Sequence, residues 1–289
     1  LRQVNRFMES DVYPYIGSLP IRSVSAAHLL EIVRRVEDRG AETVALLVRQ
    51  WCSAIFRYAV ATLRADGDPA AALRGAITRP KVEHRKPLTR AQITAFLKAL
   101  DGFSGFRTTT IALRLALVTF VRTVELRAAE WSEIDFDRAE WRIPAERMKM
   151  REPHLVPLSA QAVTLLRELH KLTGNQRWLF PNYRRPETCM TATTLNRALE
   201  RMGFNGKHSI GFSAHGFRAT ASTILNEAGY RADVIERQLA HKERNAVRAS
   251  YNQAEYLSER CDMMQQWADL VDGLAEKRGS AKTGKPRKA

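Results

Sequence analysis

The stretch Arg79-Pro80-Lys81-Val82-Glu83-His84-Arg85-Lys86-Pro87 constrains this 289-residue chain more than any other feature. It is polar, basic and bracketed by prolines, which lack the backbone N–H that helices and sheets use. No apolar periodicity crosses it, so residues 81–88 read as a basic linker between two separately patterned regions. Ahead of it, residues 1–80 read as an all-helical domain. Ser23 or Ser25 can cap a helix that starts at Ala26 and closes near Gly40. A longer helix, Glu42 to about Arg64, carries Val44, Leu47, Trp51, Ile55, Tyr58 and Ala59 at three- and four-residue steps, and Asp66-Gly67-Asp68-Pro69 ends it.

Beyond the linker, Thr89 caps a helix over 90–100, and a strongly apolar helix follows over about 108–120. The period then shortens. Ile134-Asp135-Phe136, Glu140-Trp141-Arg142-Ile143 and His154-Leu155-Val156-Pro157-Leu158 alternate like short strands separated by turn residues. Helical spacing resumes over 160–171, 191–202, 215–228, 232–240 and 258–274. The expected fold is mainly α with a small antiparallel β-sheet, the second domain covering 89–275. Residues 276–289 hold six Lys or Arg against one Glu, with Gly and Pro, and are expected to form a disordered basic tail.

Lys and Arg total 46 against 31 Asp and Glu, a formal charge of +15. That excess favours a polyanionic partner, because neutralising phosphates releases condensed counterions. Arg outnumbers Lys 35 to 11, which suits forked contacts to phosphate oxygens. Three scattered cysteines, Cys52, Cys189 and Cys261, are too few for a disulfide framework or a zinc site and point to a reducing, cytoplasmic setting. No secretory signal opens the chain. No continuous apolar run reaches the ~20 residues that span a bilayer, so no membrane partner is expected.

Four short patches carry the chemistry. His215 and Arg218 share one face at a helix start, with Ser213 as a candidate N-cap, and free N–H groups there favour a phosphate. Arg122 follows the apolar helix, with Glu125 one turn on as a candidate organiser; an ordinary surface ion pair is the plainer reading. Lys149 is the only lysine between Ala99 and His170 and lies on the turn side of the predicted strands. A lysine can give up a proton where an arginine effectively cannot, so Lys149 can serve as a general acid; a solvated turn lysine is the alternative. Tyr251 follows His241 by ten residues. A tyrosine can form a covalent phosphoryl intermediate when a base and positive charge assist it, but chemistry alone does not select it over Tyr256 or the other tyrosines.

Order and spacing select. Arg122-x-x-Glu125-Leu126, then Lys149, then His215-Gly216-Phe217-Arg218, then Leu239-Ala240-His241, then Tyr251 resembles the tyrosine recombinase family. The likeness is to integrases of phages and genomic islands. It extends to Ala129-Glu130-Trp131-Ser132-Glu133-Ile134-Asp135, to Ile143 through Met150, and to Ala246 through Asn252. It covers residues about 1–270. One departure is local: the family usually has a small residue, often Gly, before the pair at Arg122, and here Phe120-Val121 precede it. The subgroup's N-terminal arm-site-binding domain has no match, and residue 1 is Leu, so the resemblance implies a natural start further upstream.

The resemblance implies a core-type DNA-binding domain over 1–80 and a catalytic domain over 89–275, clamped in a C shape around double-stranded DNA. It implies that Tyr251 attacks the scissile phosphate and forms a 3′-phosphotyrosyl link. Arg122 and Arg218 stabilise the charge, Lys149 protonates the leaving 5′ oxygen, His215 assists proton transfer at Tyr251, and His241 holds a phosphate oxygen. Glu125 organises the site from behind. No ATP, metal or other cofactor is implied. The family implies a homotetramer on DNA, with helix 258–274 docking onto a neighbouring subunit rather than packing within its own. Three rivals stay open: a type IB topoisomerase, a non-enzymatic DNA-binding regulator, and a metal hydrolase built on His215 and His241.

Overall fold

Ser25 begins the first long helix of the computed structural model, which describes residues 2–77, 87–241 and 255–280. Its hydroxyl accepts the His28 N–H at 3.3 Å, and His28 Nδ1 accepts the Ser25 N–H in return, so two otherwise unpaired donors are satisfied. The chain divides into two compact units, Leu1–His84 and Arg85–Ala289. In the first, α1 (Arg2–Phe7), a π-turn at Met8–Val12 and α2 (Tyr13–Ile16) lead to α3 (Ala26–Asp38) and α4 (Glu42–Ala61). Asp11, almost fully buried, accepts two N–H groups of Arg39 at 2.6 and 2.8 Å and so ties the π-turn to the end of α3.

α4 departs from expectation twice. It ends at Ala61, because Leu63 turns to φ +59° and the Thr62 hydroxyl returns to the Tyr58 carbonyl. Its buried face also differs by one position. Ala45, Val48, Cys52, Phe56 and Ala59 face the core, while Ile55 and Tyr58 are exposed. Both stripes are apolar at helical spacing, so periodicity alone could not choose between them. By length and composition α4 is also apolar enough to cross a membrane, although charged residues interrupt its apolar run. Its inner stripe is packed in the unit core, and Glu42, Arg49 and Arg57 interrupt the rest.

The second unit is built from α5 (Arg90–Asp101), α6 (Arg107–Thr119), α7 (Thr123–Arg127), β1 (Ile134–Asp135), β2 (Glu140–Ile143), β3 (His154–Pro157), α8 (Ala160–Thr173), α9 (Thr194–Arg201), α10 (Gly216–Glu227), α11 (Ala232–Gln238) and α12 (Leu257–Ser280). The mainly helical fold with one small antiparallel sheet is as expected. The strand order is β1-β2-β3, with Ile134 opposite Trp141 and Ile143 opposite His154. Most of the linker expected at 81–88 lies outside the described residues. Leu88, however, is buried in this unit and its N–H donates to Thr220 Oγ1 at 2.9 Å, so the last linker position belongs to the core.

α12 corrects two further expectations. It continues through Ser280, so the basic tail expected from residue 276 begins inside a helix; residues 281–289 lie outside the described residues. Its apolar face is not left open for a neighbour. Met263, Met264, Trp267, Ala268 and Val271 are buried in the helix's own unit, and Trp267 Nε1 donates to the Leu117 carbonyl at 2.9 Å. Cys261, expected on that face, is exposed.

β3 opens with a buried histidine. His154 Nε2 lies 3.1 Å from the Gln238 carbonyl, and burial, reinforced by Arg260, drives its pKa down to about 3. The ring therefore stays neutral in the fold while the unfolded chain binds a proton below about pH 6.5.

Two outcomes follow. Trp267→Ala should destabilise the second unit by roughly 3–5 kcal/mol in urea unfolding, since it removes a large buried ring and orphans the Leu117 carbonyl. Stability should also fall as pH drops from about 6.5 toward 3, with His154 contributing up to about 1.4 kcal/mol per pH unit. Urea midpoints across that range should flatten in His154→Gln.

Candidate active site

The last turn of α11 gathers the predicted residues. A helix leaves its final carbonyls without intrahelical donors, and cations are favoured there. Here two arginines supply the donors. Arg218 Nη2 donates to the Leu239 carbonyl at 2.6 Å, and Arg122 Nη2 donates to the Ala240 carbonyl at 2.8 Å. The next residue, His241, receives Arg218 Nη2 at Nε2, 3.1 Å away. Arg122 and Arg218 are far apart in sequence, and this turn is where they meet.

Each arginine is positioned by local sequence. Arg122 precedes the short α7 and Glu125 is its third residue, the spacing at which a carboxylate reaches back to a helix start. Glu125 accepts the Arg122 backbone N–H at 2.8 Å and the Arg122 guanidinium at 2.7 Å, and is itself only 1% exposed. The plainer reading of this pair as a surface ion pair therefore fails on burial. Arg218 rises from the first turn of α10 and is also buried. Gly216 makes that approach feasible, since a Cβ there would come within 2.5 Å of the Phe212 ring. Ser213 is not the cap of α10. It is buried, its backbone carbonyl receives Gly216 N–H, and His215 occupies the N-cap position without a side-chain cap bond.

Two strained turns aim the carbonyls. Phe120 ends α6 with φ +38° and Ala240 ends the α11 turn with φ +48°, a region that side chains with a Cβ rarely adopt. The Phe120 carbonyl accepts Arg218 Nη1 at 2.9 Å. Phe120 occupies the left-handed conformation nonetheless, with its ring fully buried and edge-on to Trp267.

Arg218 carries a charge that is poorly compensated. Burial first, and the neighbouring Arg122 second, lower its pKa to about 10, while Glu125 and Glu236 oppose the shift. It still holds its proton at neutral pH. Among the described residues its hydrogen-bond partners are two carbonyls and an imidazole, and no carboxylate pairs with it. A desolvated cation held by neutral acceptors is an anion site.

The remaining predicted residues fall as follows. His215 is exposed, three residues ahead of Arg218. Lys149 is exposed in the turn joining β2 to β3; its neighbours Met148 and Met150 line a small recess together with Ala240 and His241. Tyr251 lies outside the described residues. Among the described residues no three His, Cys, Asp or Glu side chains gather as a metal-binding set.

Sequence reasoning missed Glu236. Its carboxylate lies 2.7 Å from His241 Nδ1. Because Arg218 donates to Nε2, the ring proton sits on Nδ1 and is given to Glu236. The two are five residues apart, outside the neighbour spacing of a helix, so no pattern pointed to the pair. It also missed Arg260, which is fully buried, bonds Gln238 Oε1 at 2.8 and 3.0 Å, and fastens α12 to the end of α11.

Comparison with known proteins supplies the family. Residues 86–257 match the model described as "Phage integrase family", and residues 1–76 match "Phage integrase central domain". The integrase of Enterobacteria phage P4 is 42% identical over 284 residues, covering 93% of this chain and 64% of that protein. The chain thus spans just under two thirds of that relative's length. Two solved structures share the fold. The Tn1549 transposon integrase in complex with a circular intermediate DNA has a TM-score of 0.65 at 18% identity, over 92% of each chain. A lambda integrase tetramer bound to a Holliday junction has a TM-score of 0.66 at 20% identity, over 88% of this chain and 71% of that one. With the family model matched across most of the second unit and the central-domain model across the first, the chain belongs to the phage integrase family.

Proposed function

We propose that this chain is the DNA-cleaving and rejoining core of a site-specific recombinase, working through a covalent 3′-phosphotyrosine at Tyr251 to integrate or excise a mobile element. The observation that carries the reading is the pair Arg218 and Arg122 converging on the Leu239–His241 turn, Arg122 clamped by Glu125 and Arg218 buried with no carboxylate paired to it among the described residues. A scissile phosphate is the anion that suits it.

In this reading the two guanidinium groups face the non-bridging oxygens of the phosphate. Both are already aimed by their hydrogen bonds and Arg218 is already desolvated, so little reorganisation remains when negative charge builds in the transition state. Glu125 keeps Arg122 from swinging away. His241, braced by Glu236, adds a contact to a phosphate oxygen. Tyr251 Oη bonds to phosphorus as the bond to the 5′ oxygen breaks. His215 takes the phenolic proton and Lys149 supplies one to the leaving oxygen, each a general acid–base contribution. One phosphoester is exchanged for another, so the bond energy stays in the linkage and no ATP or metal is consumed. Attack by a different 5′-OH reverses the step on a new strand.

The first unit would grip the core site, and the chain's +15 charge would supply the phosphate contacts. The solved lambda integrase tetramer on a Holliday junction supports assembly of four copies on two DNA segments. The phage relatives support action on DNA inside a bacterial cell.

Two experiments test this. Tyr251→Phe should bind core-site DNA but form no covalent adduct on a nicked suicide duplex, while the parent protein forms it equally with and without EDTA. An unchanged adduct in the variant would overturn the assignment, and adduct lost to EDTA would restore a metal mechanism. Arg218→Lys keeps a charge but loses the fork. It should slow single-turnover cleavage by at least about a hundredfold with little change in DNA affinity.

A further inference from the structure

The segment carrying Lys149 is fixed at both ends and free only at its tip. On the β2 side, Arg147 closes a single 3-10 turn, Ala145–Arg147. Its guanidinium donates one N–H to Glu133 and another to the backbone carbonyl of Glu125. Glu133 is buried, and its other oxygen accepts Trp141 Nε1–H at 2.9 Å. On the β3 side, His154 is held by the Gln238 carbonyl and the Leu155 carbonyl by Arg260. Met148 is buried. The five residues 149–153 are all exposed, and Arg151 among them turns to φ +56°.

Arg147 therefore joins two parts of the candidate site. It grips α7 at Glu125, the residue whose side chain clamps Arg122, and it lies two positions before Lys149. An exposed ion pair would be worth little and would call for no such account. Here Glu133 is 7% and Arg147 17% exposed at the side chain, and one guanidinium bridges a carboxylate and a carbonyl from different elements. The plainer role is to brace the sheet. Bracing alone would not link the lysine turn to the arginine cluster, which is what the contact to the Glu125 carbonyl does.

We propose that Arg147, clamped by Glu133, is a positioning residue that sets the reach of Lys149 toward the leaving 5′ oxygen. The proposal rests on the reading of Lys149 as proton donor given above. In the step concerned, the Tyr251 oxygen bonds to phosphorus and the P–O5′ bond breaks. Its electron pair stays on O5′, which takes a proton from Lys149 Nζ. If the bridging atom is sulfur, a thiolate leaves and needs no proton, because thiols are far stronger acids than alcohols. A defect confined to proton delivery is then erased by sulfur, and a defect in folding or phosphate binding is not.

The test is single-turnover cleavage by the whole protein of a nicked core-site duplex, with oxygen or sulfur in the 5′ bridge. Arg147→Met should slow the oxygen substrate by at least about tenfold and the sulfur substrate by less than about twofold. Lys149→Ala should show the same selectivity, and the double variant should be no slower on oxygen than Lys149→Ala. Glu133→Gln keeps an acceptor for Trp141 but loses the charge that holds Arg147. It should give a smaller defect of the same selectivity, and it carries the test if Arg147→Met does not fold. Equal slowing of both substrates by Arg147→Met or Glu133→Gln, or no slowing on oxygen, overturns the positioning role. Failure of sulfur to rescue Lys149→Ala overturns the proton-donor reading instead, and this proposal with it; that result is read from a different variant, so the two failures are distinct.

Discussion

The end of α11 is the feature on which the site depends. Ala240 turns left-handed and the backbone N–H groups of Ala240 and His241 return to the Arg237 and Glu236 carbonyls, while the next two carbonyls, Leu239 and Ala240, take their donors from Arg218 and Arg122. In the proposed function, helix termination and phosphate recognition use the same side chains. The arrangement carries strain at Phe120 and Ala240 and desolvates Arg218, and these costs are offset only in part by hydrogen bonds to neutral acceptors. An incoming phosphate would relieve the electrostatic part. A site built this way is held in shape by its scaffold before its ligand arrives.

Much of this was legible in the sequence, for identifiable reasons. Thr89 was read as a helix cap and is one: its hydroxyl accepts the Gln92 N–H at 3.2 Å. The three alternating segments form the three strands in order, because period-two alternation specifies one buried face. Arg122, Glu125, Arg218 and His241 were named together from their order, and the fold sets Arg122 and Arg218 on successive carbonyls of one turn, with Glu125 on Arg122 and His241 on Arg218. What was illegible has physical causes. α4 offers two apolar stripes, and only tertiary packing selects Phe56 over Ile55. Glu236 supports His241 across a helix end, where no regular spacing applies. Arg147 looked like one more basic turn residue because its partners, Glu133 and the Glu125 carbonyl, meet it only in three dimensions.

The polar groups behind the site form a layer that holds it. His154 and Arg260 converge on Gln238, at the same helix end that anchors the arginines. Arg147 does the corresponding work on the opposite side, through α7. Between these anchors lies the exposed turn with Lys149. Cis packing of α12, through Trp267, completes the enclosure of α6 and with it the Phe120 turn.

The central claim is that this cluster serves attack by Tyr251 on a DNA phosphate. The measurement that tests it most directly is to trap the protein on a nicked suicide duplex, digest the adduct and identify the nucleotide-bearing peptide by mass spectrometry. The account predicts a single modified peptide containing Tyr251, with the phosphate on its phenolic oxygen. A modified peptide bearing the phosphate on Tyr256 or on any residue other than Tyr251 would contradict it.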